Sequence, residues 1–200
     1  MSVLSNIQVY GIENAVRVSK FPMAVDANKP TSEITDTVRK LGSAKPGSGH
    51  DVFLNGIIVQ FDLTFTNKAW VEAERYNFLT FISSMSTMHR ITKFDLNNQY
   101  IEYVDPLMIR RMKELIEEYN CIDDEEDRKE QYLKILYSNP CGFKLTAGMT
   151  TNYRQLKTIV MQRENHRLPE WREFCKDIRQ LPHFEELCFG NTEEGGGTRV

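Results

Sequence analysis

The sequence has no surplus of positive charge: 25 Lys and Arg stand against 28 Asp and Glu, a formal net charge of −3. Phosphate backbones and anionic lipid surfaces are gripped mainly by excess cations, so this balance excludes a general nucleic-acid or membrane-surface binder and leaves only local basic sites. No apolar run approaches the ~20 residues that span a bilayer, and the first residues lack the charged-then-apolar layout of a secretion signal. No CxxC pair occurs. Cys121, Cys141, Cys175 and Cys188 stand apart, without metal-ligand spacing to the four histidines. The expectation is a soluble cytoplasmic protein with reduced thiols and no metal centre. Internal repeats are absent as well. What is present, 200 residues of which 40% are hydrophobic and 26% charged, suffices for one domain with a real core. That domain is read as residues 1–190, followed by a glycine-rich polar tail, 191–200, expected to be flexible.

Patterning along the chain points to a mixed α/β protein of the α+β type, a small mixed or antiparallel sheet with long packed helices. Asn6 to Gly11 alternates polar and apolar residues as a short strand does. Glu13 to Lys20 reads as a helix limited by Pro22, and Pro30-Thr31-Ser32-Glu33 as the start of a second one that ends at Gly42. After the turn Lys45 to His50, the stretch Phe53 to Phe65 is a strand by its aromatic and β-branched content, with Ile57, Val59, Phe61 and Leu63 on one face. Asn67 to Arg90 carries Val71, Arg75, Phe78, Ile82, Met85 and His89 at alternating spacings of four and three. It reads as one long central helix with Asn67 as a candidate N-cap. Asp105-Pro106 starts a helix to about Tyr119, whose buried face is Leu107, Ile109, Met112, Leu115 and Ile116. The acidic run Asp123 to Asp127 opens another helix, where the dipole favours negative charge. Phe143 to Met149 is a short strand, and Leu168-Pro169 opens a helix with Trp171, Phe174, Cys175 and Ile178 at core spacing.

The chemistry concentrates in Met149 to Trp171. Thr150, Thr151 and Asn152 offer cap oxygens to a helix from Tyr153 to about Asn165, on which Leu156, Ile159, Val160 and Arg163 share one stripe. An arginine on a buried stripe keeps its charge and requires an answer. Two are open: an internal carboxylate or an anionic ligand. Arg75 and His89, on the long helix, raise the same question.

Asn152-x-Arg154-x-Leu156, then Arg163, His166 and Trp171, resembles the C-terminal signature of the flavin-dependent thymidylate synthases. Gly49-His50 resembles that family's Gly-His pair ahead of a strand, although the acidic-His pair that follows it in the family is Asn55-Gly56 here. Where the family has Ala-Gln-Trp-Glu, this chain has Leu168-Pro169-Glu170-Trp171. The family's Arg-His-Arg triplet falls on Arg75-Tyr76-Asn77 in one register, with Met85 between Ser84 and Ser86 at the serine slot. A second register places it on Met88-His89-Arg90. Neither preserves the full signature, and the first suits the fold position.

The resemblance implies a homotetramer with flavin between subunits, and a definite chemistry. NADPH reduces FAD, and a one-carbon unit passes from methylenetetrahydrofolate to C5 of dUMP without a cysteine nucleophile. It further implies cofactor contacts from His50, Arg75, His89, Asn152, Arg154 and Thr158, and nucleotide contacts from Ser84, Ser86, Arg90 and Arg163. No catalytic acid or base stands out, since Glu72 and Glu74 resemble ordinary surface residues. Two further readings remain: a family member that binds flavin or nucleotide without catalysis, and an unrelated helical interaction domain whose Arg75, His89 and Arg163 form interface ion pairs.

Overall fold

The computed structural model describes residues 2–191; most of the expected tail, 192–200, lies outside the described residues. In chain order the elements are β1 (Leu4–Tyr10), α1 (Ile12–Ser19), α2 (Asp36–Gly42), β2 (Ile58–Thr66), α3 (Asn67–Ala73), β3 (Thr80–Ser84) and α4 (Thr87–Arg90). They continue with α5 (Pro106–Asn120), α6 (Glu125–Ser138), β4 (Lys144–Asn152), α7 (Tyr153–Arg163), α8 (Pro169–Arg179) and α9 (Phe184–Phe189). The strands form a four-stranded antiparallel sheet in the order β1-β2-β4-β3. Residues cluster into two compact units, Met1–Leu63 with Tyr76–Ile82 and Gly148–Val200, and Thr64–Arg75 with Ser83–Ala147.

In the first unit β1 pairs antiparallel with β2, Leu4 opposite Leu63 and Val9 opposite Val59, with a bulge between Ser5 and Gln8. Asp177 Oδ2 accepts from the backbone N–H groups of Val3 and Leu4 at 2.9 and 3.1 Å, tying the strand's start to α8. Gly11 turns the chain into α1 at φ 84°, and a Cβ there would stand 2.5 Å from the Gly56 carbonyl oxygen, so only glycine fits. The second helix begins later than the Pro30-Thr31-Ser32 signal suggests. The Lys20 ammonium donates to the carbonyls of Thr31 and Glu33, at 2.9 and 2.8 Å, and so claims acceptors that a helix there would need. Thr35 caps α2 instead, accepting from Val38 N–H.

The strand expected from Phe53 also starts later. His50–Gly56 is a 3-10 turn with Leu54 fully buried, and only Ile58–Thr66 is strand. Val59, Phe61 and Leu63 are buried as the alternation requires. They share a core with Tyr153, Leu156, Ile159, Trp171, Phe174 and Phe184, in which Phe174 meets Phe61 and Trp171 edge-on at 6.1 and 5.6 Å.

Cys175 and Cys188 lie in this unit, buried, and Cys121 and Cys141 of the second unit are exposed. Burial pushes the Cys175 thiol up to about 12 and raises that of Cys188 as well. A thiol reagent at about pH 8 is therefore expected to modify Cys121 and Cys141 quickly and the buried pair only after denaturation, because the thiolate is the nucleophile. Stoichiometric labelling of all four in the folded protein contradicts this.

In the second unit, α5 and α6 pack on a cluster of Ile91, Leu96, Tyr100, Met112, Leu115, Ile135 and Phe143. Asp105 caps α5 as its position predicts, Asp124 of the acidic run caps α6, and the Gln131 side chain donates to the Leu115 carbonyl at 3.0 Å between them. Leu107, expected on the buried face, is 58% exposed, because it lies in the first turn ahead of the contact with α6.

The largest departure from expectation is the central helix. Residues 67–90 are α3, a turn, β3 and α4. Thr66, not Asn67, is the N-cap, accepting from Ala69 N–H at 3.2 Å. Leu79 N–H closes a turn onto the Tyr76 carbonyl at 2.8 Å, and Met85 N–H reaches the Thr146 carbonyl of β4 at 2.9 Å. Thr80, Phe81, Ile82, Ser83 and Ser84 are poor helix formers, and sheet pairing outweighs the amphipathic spacing around them. The expected stripe does not form: Val71, Ile82 and Met85 are 59%, 59% and 44% exposed.

Candidate functional site

In the first unit the candidate residues gather on α7. Asn152 ends β4 and caps the helix, its Oδ1 accepting from Gln155 N–H at 3.1 Å, while Thr150 and Thr151 stay in the strand. Leu156, Ile159, Val160 and Arg163 are all buried, so the stripe read from spacing is real and an arginine occupies its end.

Two polar clusters hold α7. Near its start the Arg154 Nε donates to Asp51 Oδ1 at 3.0 Å. Lys157, with a side chain only 3% exposed, sends its ammonium to the Gly42 and Ala44 carbonyls, both at 2.7 Å, and to Asp51 Oδ2 at 3.4 Å. Three donors meet three acceptors, which is what a buried ammonium requires. Arg154 keeps its terminal nitrogens uncommitted among the described residues, at 28% side-chain exposure. Thr158 donates to the Arg154 carbonyl at 3.2 Å. His50 is exposed, and its neighbour Asp51 is the buried partner of this cluster.

At the far end, roughly 13 Å along the axis, Arg163 is 8% exposed. Its Nε donates to the Tyr76 hydroxyl at 2.7 Å, and that hydroxyl donates to Gln162 Oε1 at 2.9 Å. The guanidinium carbon lies 5.1 Å from the Trp171 ring centre and 5.4 Å from that of Tyr76, so two aromatic side chains flank the charge.

The second unit holds the others. Arg75 has a 71% exposed side chain and only a 3.9 Å pairing with Glu72. Ser84 ends β3, Ser86 precedes α4 without capping it through its side chain, and His89 and Arg90 are exposed in the last turn of α4. Arg75 and His89 are thus on no shared buried helical face, and the charge problem posed by the long helix does not arise.

Sequence reasoning overlooked Asp51, Lys157 and Tyr76. Lys157 carried a weak signal, one turn beyond Arg154 on the same flank. Tyr76 entered only as the middle of the Arg75-Tyr76-Asn77 register, with no sign of its contact to Arg163, because its burial depends on the chain leaving the helix at Ala73. Among the described residues, no group of three or more His, Cys, Asp or Glu could hold a metal ion, and no helix is long and apolar enough to cross a membrane.

The fold that carries this arrangement is shared with flavin-dependent thymidylate synthases. The chain is similar to the crystal structure of the flavin-dependent thymidylate synthase ThyX from Helicobacter pylori complexed with FAD and dUMP. The two are 13% identical, with a TM-score of 0.70, and the match covers 94% of this chain and 98% of that one. A second structure of the Helicobacter pylori ThyX with FAD and dUMP is similar at 13% identity and a TM-score of 0.68, over 91% of this chain and 94% of that one. No protein-family model and no curated protein matches the sequence.

Proposed function

We propose that this protein is a divergent flavin-dependent thymidylate synthase, transferring a one-carbon unit from methylenetetrahydrofolate to C5 of dUMP with FAD and NADPH, as a cytoplasmic homotetramer. The observation that carries the reading is Arg163, a guanidinium placed at the end of a buried stripe and flanked by Tyr76 and Trp171. It stands on the helix that Asn152 caps and Arg154 begins, within a fold shared with synthases solved with FAD and dUMP.

The residues suit such ligands. Arg154, anchored through Nε and open at its other nitrogens, together with Asn152 and His50, offers donors to a flavin, and Thr158, whose hydroxyl hydrogen goes to the Arg154 carbonyl, offers an acceptor. The resemblance gives a flavin role to Arg75 and His89 as well, both exposed on the second unit. Arg90, Ser84 and Ser86 supply a cation and hydroxyls to a dianionic phosphate, and Arg163 offsets charge that develops on the uracil carbonyls. Bound FAD supplies the redox capacity that the one-carbon transfer needs. The chain's own part is to orient the nucleotide and exclude water, and no proton-transfer residue is assigned.

A second reading is favoured by the triplet Arg75-Tyr76-Asn77. Where the family has histidine this chain has Tyr76, 5% exposed and engaged with Arg163. On that reading the protein binds flavin or nucleotide without turnover. The third, a helical interaction domain, loses the helix that placed Arg75 and His89 on one face.

Absorbance of the purified protein, with FAD and with or without dUMP, tests the proposal. A flavin spectrum that shifts on adding dUMP is expected, and tritium release from 5-labelled dUMP with folate and NADPH then distinguishes synthase from binder. Protein that takes up neither ligand ends both readings.

A further inference from the structure

A cleft of about 640 Å³ lies wholly within the second unit, lined by the segment 88–93, the first half of α6 and Tyr119 of α5. Its volume falls within the ~300–1,000 Å³ typical of small-molecule sites. Its charges do not cancel. Lys129 is held by Glu125 and Glu126 at 3.1 and 2.9 Å, as expected of a solvated helix face. Arg128, one residue away on the same acidic helix, has no carboxylate among the described residues; its guanidinium lies 4.7 Å from the centre of the Tyr119 ring. Lys93 and His89, across the cleft in the chain, have no hydrogen-bond or ion-pair partner there either.

The lining is aromatic as well as cationic. Tyr119 and Tyr132 lie 5.5 Å apart at an interplanar angle of 56°. The Tyr132 hydroxyl donates to the Met88 carbonyl at 3.0 Å, fastening α6 to the opposite segment. Burial raises the Tyr132 phenol above its ordinary range, which keeps that donor protonated. Tyr119 and Tyr132 pack α5 against α6, and the cleft they border is tied together before any ligand arrives, with Lys93 and Arg128 left without carboxylate partners among the described residues.

We propose that this cleft binds a nucleoside phosphate, its planar ring set against Tyr119, Tyr132 and the face of Arg128, and its anionic group met by Lys93, His89 and Arg128. The proposal is separate from the one-carbon-transfer reading, with which it shares only His89.

Calorimetric titration of the full chain with ADP, adenosine and inorganic phosphate as separate probes tests it. ADP is expected to bind one per chain, with adenosine and phosphate each weaker by about tenfold or more, a difference of about 1.4 kcal/mol or more. Lys93→Ala with Arg128→Ala, both at exposed positions, is expected to weaken ADP by about tenfold or more, while Lys40→Ala with Lys176→Ala, two exposed cations of the first unit, leaves it unchanged. Several results overturn the proposal: no ADP binding, phosphate binding as tightly as ADP, binding indifferent to the double variant, or clear preference for a single-stranded oligonucleotide. Absence of flavin uptake bears on the other reading and leaves this titration intact.

Discussion

Replacing Asp51 by alanine is expected to lower the unfolding free energy by about 3–5 kcal/mol, read from urea denaturation, out of the ~5–15 kcal/mol typical of a protein this size. The carboxylate is 2% exposed and, among the described residues, is the one anion meeting both Arg154 and Lys157, at 3.0 and 3.4 Å. Without it the Lys157 ammonium keeps the Gly42 and Ala44 carbonyls but remains a buried charge with no counter-ion among the described residues. Arg154, more exposed, can turn to water at little cost. The asymmetry gives a control. Lys157→Met removes the more deeply buried charge and leaves Asp51 paired with Arg154, so its cost should be clearly smaller. If Asp51→Ala unfolds within about 0.5 kcal/mol of the parent, as neutral surface changes do, the cluster contributes no such stability.

Arg163→Ala is expected to abolish measurable dUMP binding, or to lower kcat/KM by roughly 10²–10³-fold if turnover persists, as loss of one charge-stabilising donor does elsewhere. FAD binding should survive, because Arg154 and Asn152 sit at the other end of α7. Arg163→Lys should rescue poorly: an ammonium cannot reproduce a planar fork flanked by Tyr76 and Trp171. Tyr76→Phe separates position from charge. It keeps the ring and removes the hydroxyl that accepts from Arg163 and donates to Gln162, so weaker dUMP affinity with an unchanged flavin spectrum is the expected result. Wild-type affinity in Arg163→Ala removes the residue from the nucleotide site. Loss of the fold in the same variant assigns it to structure instead.

The parts of the fold that were legible from the residues are those governed by local chemistry. Asp105 and Asn152 cap where they were expected to, and Asp124 caps within the acidic run read as a helix start, because a side-chain oxygen beside free N–H groups needs nothing from the rest of the molecule. The α7 stripe and the α8 core face were equally clear. The failure at residues 67–90 has a physical origin. No glycine or proline occurs between Gly56 and Pro106, so nothing local marks the exit at Ala73. Spacing alone cannot report that β4 offers a pairing edge some sixty residues later. Candidate residues fared in the same way. Arg163 was found by its place on a stripe, whereas Tyr76 and Asp51 matter through partners distant in sequence.

Arg154 fixes the first turn of α7, Lys157 its middle and Arg163 its last residue, each through groups outside the helix. A one-turn ratchet of about 5.4 Å, the kind of step many switches use, would break all three attachments together. The helix is therefore a rigid template, and a ligand meeting it loses little entropy in ordering the protein. Discrimination between close analogues should accordingly appear as fit or misfit against a fixed surface, with slow adaptation absent from the binding kinetics.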